Sequence, residues 1–153
     1  MAATTANAVA DHILCKTRET GDIITNLKLQ KLLYYAQAWY LAFYDEPLFD
    51  EPIEAWVHGP AQPKVYRRFK KFEWRPITEE VACPTFTGRK VQSLIGEVLR
   101  VYGDKTASQL EVLTHSEAPW REARGGIPDY ENSSRVITHE SMRDFYRSKL
   151  PSG

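Results

Sequence analysis

The stretch Leu27–Tyr44, LKLQKLLYYAQAWYLAFY, constrains the fold more than any other part of this 153-residue chain. At 100° per residue, Leu29, Leu32, Leu33, Ala36, Trp39, Tyr40 and Phe43 share about one third of the helical circle. The opposite arc carries Leu27, Tyr34, Tyr35, Ala38, Leu41 and Ala42, so only Lys28, Gln30, Lys31 and Gln37 interrupt the apolar surround. A helix apolar on nearly every side belongs in the middle of a domain, with other elements packed around it. It is not a membrane span. Gln37 breaks the run, Lys28, Gln30 and Lys31 precede it, and the roughly 18 uncharged residues a bilayer requires are not there. The stretch predicts a buried central helix over about 26–45.

The size of the chain suits a single domain over 1–153, with an ordered core over 5–150 and frayed ends at 1–4 and 151–153. Twenty basic and twenty acidic residues cancel, so no global field points to nucleic acid or to an anionic membrane. Cys15 and Cys83 are far apart, lack metal-type spacing and do not read as a disulfide framework. The N-terminus has no basic leader followed by an apolar run. The expectation is a cytoplasmic, mainly α (α+β) protein.

Around the central helix the punctuation is clear. A first helix over about 5–19 turns Val9, Ile13, Ala6 and the Lys16 stem to one face, and Gly21 closes it. Thr25 or Asn26 can cap the central helix, and Pro47 prevents its continuing. Ile53, Ala55 and Val57 alternate with polar or bulky neighbours, which predicts a short edge strand; one or two such strands are expected near 47–58 and 74–86. His58-Gly59-Pro60 marks a turn, and Pro63 opens a helix whose Val65, Tyr66, Phe69 and Phe72 form one face. A helix over about 89–102 follows, closed by Gly103. Thr106 with Gln109, and Ser108 with Glu111, both have capping-box spacing. Pro119 opens a short helix ended by Gly125-Gly126, and Thr138 caps a last helix with Met142, Phe145, Tyr146 and Leu150 inward.

Candidate chemistry is sparse. Lys64, Arg67, Arg68, Lys70, Lys71 and Arg75 interleave with Tyr66, Phe69, Phe72 and Trp74. This run can be a solvated face neutralised by Asp45, Glu46, Asp50, Glu51 and Glu54, a surface for an acidic protein, or a phosphate-contacting helix. His12 and Cys15 lie three apart on one helix, but a nucleophile pair also needs an orienting group and an oxyanion site, and none is evident. A core cysteine beside a surface histidine is the simpler arrangement. His58 and His115 each precede a proline and can fix turns; joined by Glu117 they would form a small metal or hydrolytic site, although the zinc-protease spacing is missing. Lys31 sits among Tyr34, Tyr35, Ala38 and Ala42. Its stem can snorkel, or its ammonium can be buried against a carboxylate or presented to a partner.

Three motifs stand in order: LxLQKLLYYAQAW at Leu27–Trp39, AWxHGPxxPxVY at Ala55–Tyr66 and LTHSExPWxxAR at Leu113–Arg124. Together with the closing helix they make the chain resemble the Panacea-domain family of SocA-like antitoxins, phage-associated relatives included. The resemblance implies a type II antitoxin, which neutralises a toxin encoded by an adjacent gene through direct binding and uses no catalytic residue, cofactor or metal. It also implies adaptor behaviour that hands the toxin to the ClpXP protease. On this reading the toxin-facing residues are Trp56, His58, Gly59, Pro60, Tyr66, Arg67, Arg68, His115, Pro119 and Trp120, with Lys31 as a functional or structural lysine. Trp56, Trp74 and Trp120 fall at loops or element edges, where a large ring can anchor a partner, whereas Trp39 belongs to the core.

Overall fold

A computed structural model describes residues 2–151. The first helix, α1 (Ala6–Glu19), opens at Thr5, whose hydroxyl accepts from the Ala8 amide at 3.2 Å. The central helix, α2 (Asn26–Tyr44), opens at Thr25 in the same way and ends at Asp45, which is left-handed at φ 56°. Around it pack α3 (Pro63–Phe69, followed by a 3-10 turn at Lys70–Phe72), α4 (Lys90–Tyr102), α5 (Ala107–His115) and α7 (His139–Arg147), while α6 (Ala118–Arg124) packs on α5 and α7. The capping box at α5 is formed by Thr106 and Gln109; Ser108 and Glu111 lie within the helix.

Leu29, Leu32, Leu33, Tyr34, Tyr35, Ala36 and Ala38 are all buried, as a helix apolar on both arcs requires. Its two buried glutamines are hydrogen-bonded in full view of the apolar core. Gln37 accepts from the Leu48 amide at 2.7 Å and donates to the Phe49 carbonyl at 2.6 Å, which fixes the chain leaving α2. Gln30 donates to Asn26 Oδ1 at 3.0 Å and accepts from the Gln62 amide at 2.7 Å, holding the entry to α3. The expected core face fails at one end. Trp39 is half-buried and Phe43 is 53% exposed, because the last turn of α2 runs past its neighbours. There Trp39, Phe43, Tyr44, Leu94, Val98 and Val101 line an open apolar groove of about 350 Å³.

The sheet is a single hairpin, β1 (Glu54–Trp56) with β2 (Gly59–Ala61), paired Glu54 to Ala61, Ala55 to Pro60 and Trp56 to Gly59. Residues 135–137 line the outer edge of β1, with Ala55 N donating to Arg135 O and Ile137 N to Ile53 O, both at 2.8 Å. The strand expected within 74–86 does not form. That stretch makes an isolated bridge from Pro76 to Thr25, since Pro76 and Pro84 lack amide donors. Order begins ahead of α1, where fraying was expected: Thr4 N donates to Leu48 O at 2.9 Å. Met1, Ser152 and Gly153, also expected to fray, lie outside the described residues.

The cysteines overturn a further expectation. Cys15 and Cys83 form a disulfide, with Cα atoms 5.7 Å apart across a separation of 68 residues. The irregular segment before α4 folds back onto α1, a juxtaposition no local pattern signals. The neighbouring histidine is also reversed: His12 is 4% exposed against the Phe86 ring, while Cys15 is half-buried. For a loop of this length the oxidised chain is expected to exceed the reduced one in stability by up to about 4 kcal/mol. Urea denaturation with and without dithiothreitol measures it, and equal midpoints would show that the bridge does not constrain the unfolded chain.

Candidate functional site

The three sequence motifs meet where the β1–β2 hairpin lies across α5, α6 and the middle of α2. Trp120 Nε1 donates to the Trp56 carbonyl at 2.8 Å, and Arg124 Nη1 to the Ala55 carbonyl at 3.0 Å, so α6 holds β1 by its backbone. Gly59 sits at φ +116°, and a Cβ there would lie 3.0 Å from Lys31 Cε and 3.1 Å from Thr114 Oγ1. Only glycine fits both the backbone and the space. At the turn, the His58 side chain is 68% exposed and its Nδ1 lies 3.5 Å from Glu111 Oε1.

Lys31 lies beneath this turn. It is 2% exposed, and among the described residues it makes no ion pair and no hydrogen bond. Burial lowers its pKa to about 8, against the opposing pull of Glu111. His115 stacks on Trp120 with ring centres 3.9 Å apart, and its Nε2 is buried without a partner. Burial is also the leading cause lowering the His115 pKa, opposed by Glu111 and Asp129 and reinforced by Lys31 and Arg124. Arg124 is a second buried cation, 1% exposed, stacked over Trp120 and donating to the carbonyls of Ala55, Pro128 and Glu131.

Several expected site residues are placed differently. Trp120 is 1% exposed and sits inside α6, so it is a pillar of the site rather than an edge anchor. Gly59, Pro60 and Pro119 are likewise buried and shape the surface from below. Trp56 and Tyr66 are half-buried and meet edge to face at 4.9 Å, while Trp74 stands 78% exposed away from any partner ring. Arg67 is exposed, but Arg68 is drawn into the fold, 2.7 Å from Asp11 and 3.7 Å from Glu79. Lys71 pairs with Glu79 at 2.7 Å. The basic run is therefore partly neutralised from α1 and the segment after α3, not by the acids at 45–54. Those have other uses: Asp45 pairs with Arg143, Glu46 with Lys90, and Glu51 accepts from the amide that starts α1.

The His58, His115 and Glu117 constellation is not assembled. His58 faces Glu111, whereas Glu117 turns to the central helix and accepts from Tyr35 OH at 2.6 Å and Tyr146 OH at 2.9 Å. Tyr34 and Tyr146 hydroxyls meet at 2.9 Å, so the tyrosine pair of the first motif is tied to the glutamate of the third and to α7. Burial raises the Glu117 pKa and those of Tyr34, Tyr35 and Tyr146. Among the described residues no three His, Cys, Asp or Glu side chains are grouped to hold a metal ion, and no helix is long and apolar enough to cross a membrane. Glu111, Thr114 and Arg124 enter the site although none was singled out as a site residue; Thr114 and Arg124 lie within the third motif, and helical spacing from His115 was the available signal for Glu111.

These residues fall within or next to a region with known relatives. Residues 29–121 match the family model described as antitoxin SocA-like, Panacea domain. The chain is 35% identical over 127 residues to Antitoxin SocA of Caulobacter vibrioides (strain NA1000 / CB15N), an alignment covering 75% of this chain and 68% of that protein. No solved structure matches the chain. With all three motifs converging on one hairpin, and a family match over most of its length, the chain belongs to the SocA-like antitoxin family defined by the Panacea domain.

Proposed function

We propose that this chain acts in the cytoplasm as the antitoxin of a type II pair, neutralising the toxin encoded beside it by direct binding at the hairpin face. The observation that carries the reading is the convergence of the motif segments on one rigid surface. There His58 is exposed at the turn, and Trp56 and Tyr66 are half-buried and in contact beside Trp120, which holds the Trp56 carbonyl, while Arg67 is exposed next to Tyr66 on α3. Aromatic and arginine side chains set on a well-packed base are the usual anchors of a protein interface. Delivery of the bound toxin to ClpXP would extend the role, and faster toxin degradation by that protease with the antitoxin present than without it is the corresponding test. A nucleic-acid role is weaker, since three of the six bases on the α3 run, Arg68, Lys71 and Arg75, are already paired within the fold.

The test uses His58→Ala combined with Arg67→Glu, two exposed side chains on which the fold does not depend. The melting temperature should be unchanged, while affinity for the co-expressed product of the adjacent gene should fall at least about tenfold. Unchanged affinity, with loss instead on Phe43→Glu, would move the interface to the apolar groove between α2 and α4.

A further inference from the structure

The hairpin covers an unusual group of atoms. Lys31 and Arg124 are 2% and 1% exposed, and neither forms an ion pair among the described residues. Between their fields lies His115, whose Nε2 is buried without a hydrogen-bond partner, and Arg124 Nε is orphaned in the same way. Two buried cations without a carboxylate are costly, because removal from water is offset only by opposite charge and complete hydrogen bonding. Glu111 is the nearest acid acting on Lys31, but its carboxylate is turned to His58 at the rim. Thr114 Oγ1 is engaged with the Glu111 carbonyl at 3.0 Å. Asp129, which also acts on His115, is exposed. The fold thus holds donors and positive charge under the turn, while Glu111, the acid whose field reaches both Lys31 and His115, makes no ion pair with Lys31 and is turned to His58.

We propose that Lys31 Nζ and His115 Nε2 form a socket for a carboxylate, inserted beneath the His58–Glu111 pair by an acidic side chain of the toxin. This rests on the reading of the hairpin face as the toxin-binding surface. The carboxylate accepts from the ammonium and from the ring N–H, and Arg124 adds to the attraction without contacting the ligand. Gly59 is part of the device: a Cβ there would lie 3.0 Å from Lys31 Cε and 3.4 Å from Nζ, so its missing side chain leaves room for the end of the lysine under the turn. The same chemistry would accept a free organic acid, so the experiment separates the two sources.

The His115 ring resonances of the isolated full chain are followed by NMR as sodium acetate is added, with sodium chloride at equal ionic strength as the control. A saturable shift in the millimolar range is expected in the wild type and not in Lys31→Met. No saturable shift, or the same shift in Lys31→Met, overturns the socket; tighter binding of inorganic phosphate than of acetate overturns its assignment to a carboxylate. In the second arm, Lys31→Met should weaken binding of the adjacent-gene product at least about tenfold, and Lys31→Arg much less, since the cation is kept. An acetate response with toxin affinity unaltered in Lys31→Met would assign the socket to a free acid and overturn the toxin as its source. Should the wild type bind no such product, the antitoxin reading fails while the acetate arm still decides the socket.

Discussion

Truncating Trp120 to alanine is expected to lower the free energy of unfolding by about 3–5 kcal/mol and to abolish neutralisation of the toxin. The indole is 1% exposed and joins three pieces of structure, β1, α5 and its own helix α6. Its N–H supports β1 through the Trp56 carbonyl, one face stacks with His115, and Arg124 lies 4.7 Å from its ring centre. Removal leaves a cavity, an unpaired strand carbonyl and a buried guanidinium without its aromatic neighbour, so the losses compound. Trp74→Ala is the control: at 78% exposure it should change stability by less than about 0.5 kcal/mol. Urea denaturation of both variants measures the contrast. Equal effects would mean that the hairpin is not held from α6.

That contrast also shows how far the sequence could be read. Trp120 and Trp74 look alike in the chain: each is an aromatic residue near a proline and a charged run. What separates them is whether a distant strand carbonyl arrives at the indole, and that is a tertiary fact. The central helix was legible because its apolar residues fill both arcs, a property no packing partner can alter, and caps at Thr25, Thr106 and Thr138 followed from local hydrogen bonding. The hairpin was half legible. The alternation at 53–57 marked β1, but β2 is Gly-Pro-Ala, a sequence with little strand propensity that pairs because α2 and α5 hold it in place. The Cys15–Cys83 bridge and the Asp11–Arg68 pair join residues more than fifty positions apart, for which periodicity carries no signal. The candidate site divides in the same way. The motif residues were found by their pattern, yet Glu117, which the sequence grouped with His58 and His115, braces the tyrosines, and it is Glu111, read only for its capping-box spacing, that faces His58.

Lys31 has a consequence for the free protein that depends on pH. Burial brings its pKa in the folded state down to about 8 from the ordinary 10.5, so the unfolded chain binds the proton more tightly. Below about pH 8 both states carry the charge and the fold bears the full burial penalty, about 3 kcal/mol at 1.36 kcal/mol per pH unit. As pH rises from about 8 towards 10.5 the folded lysine releases its proton first, so this group's contribution to stability should climb through that window. The buried tyrosines set the upper limit. Tyr34, Tyr35 and Tyr146 hold their protons more tightly in the folded state, so once unfolded tyrosines ionise near pH 10, stability falls again. The wild type should therefore show a stability maximum between about pH 9 and 10 on this account, measured by denaturation at constant ionic strength. Lys31→Met should be more stable than the wild type by about 2–3 kcal/mol at pH 7, with the difference shrinking to near zero by pH 10. A variant more stable alone yet weaker in toxin binding is the signature of a charge held in readiness for a partner. If Lys31→Met were instead less stable at pH 7, the ammonium would already have its counter-charge within the fold, and its burial would serve the architecture alone.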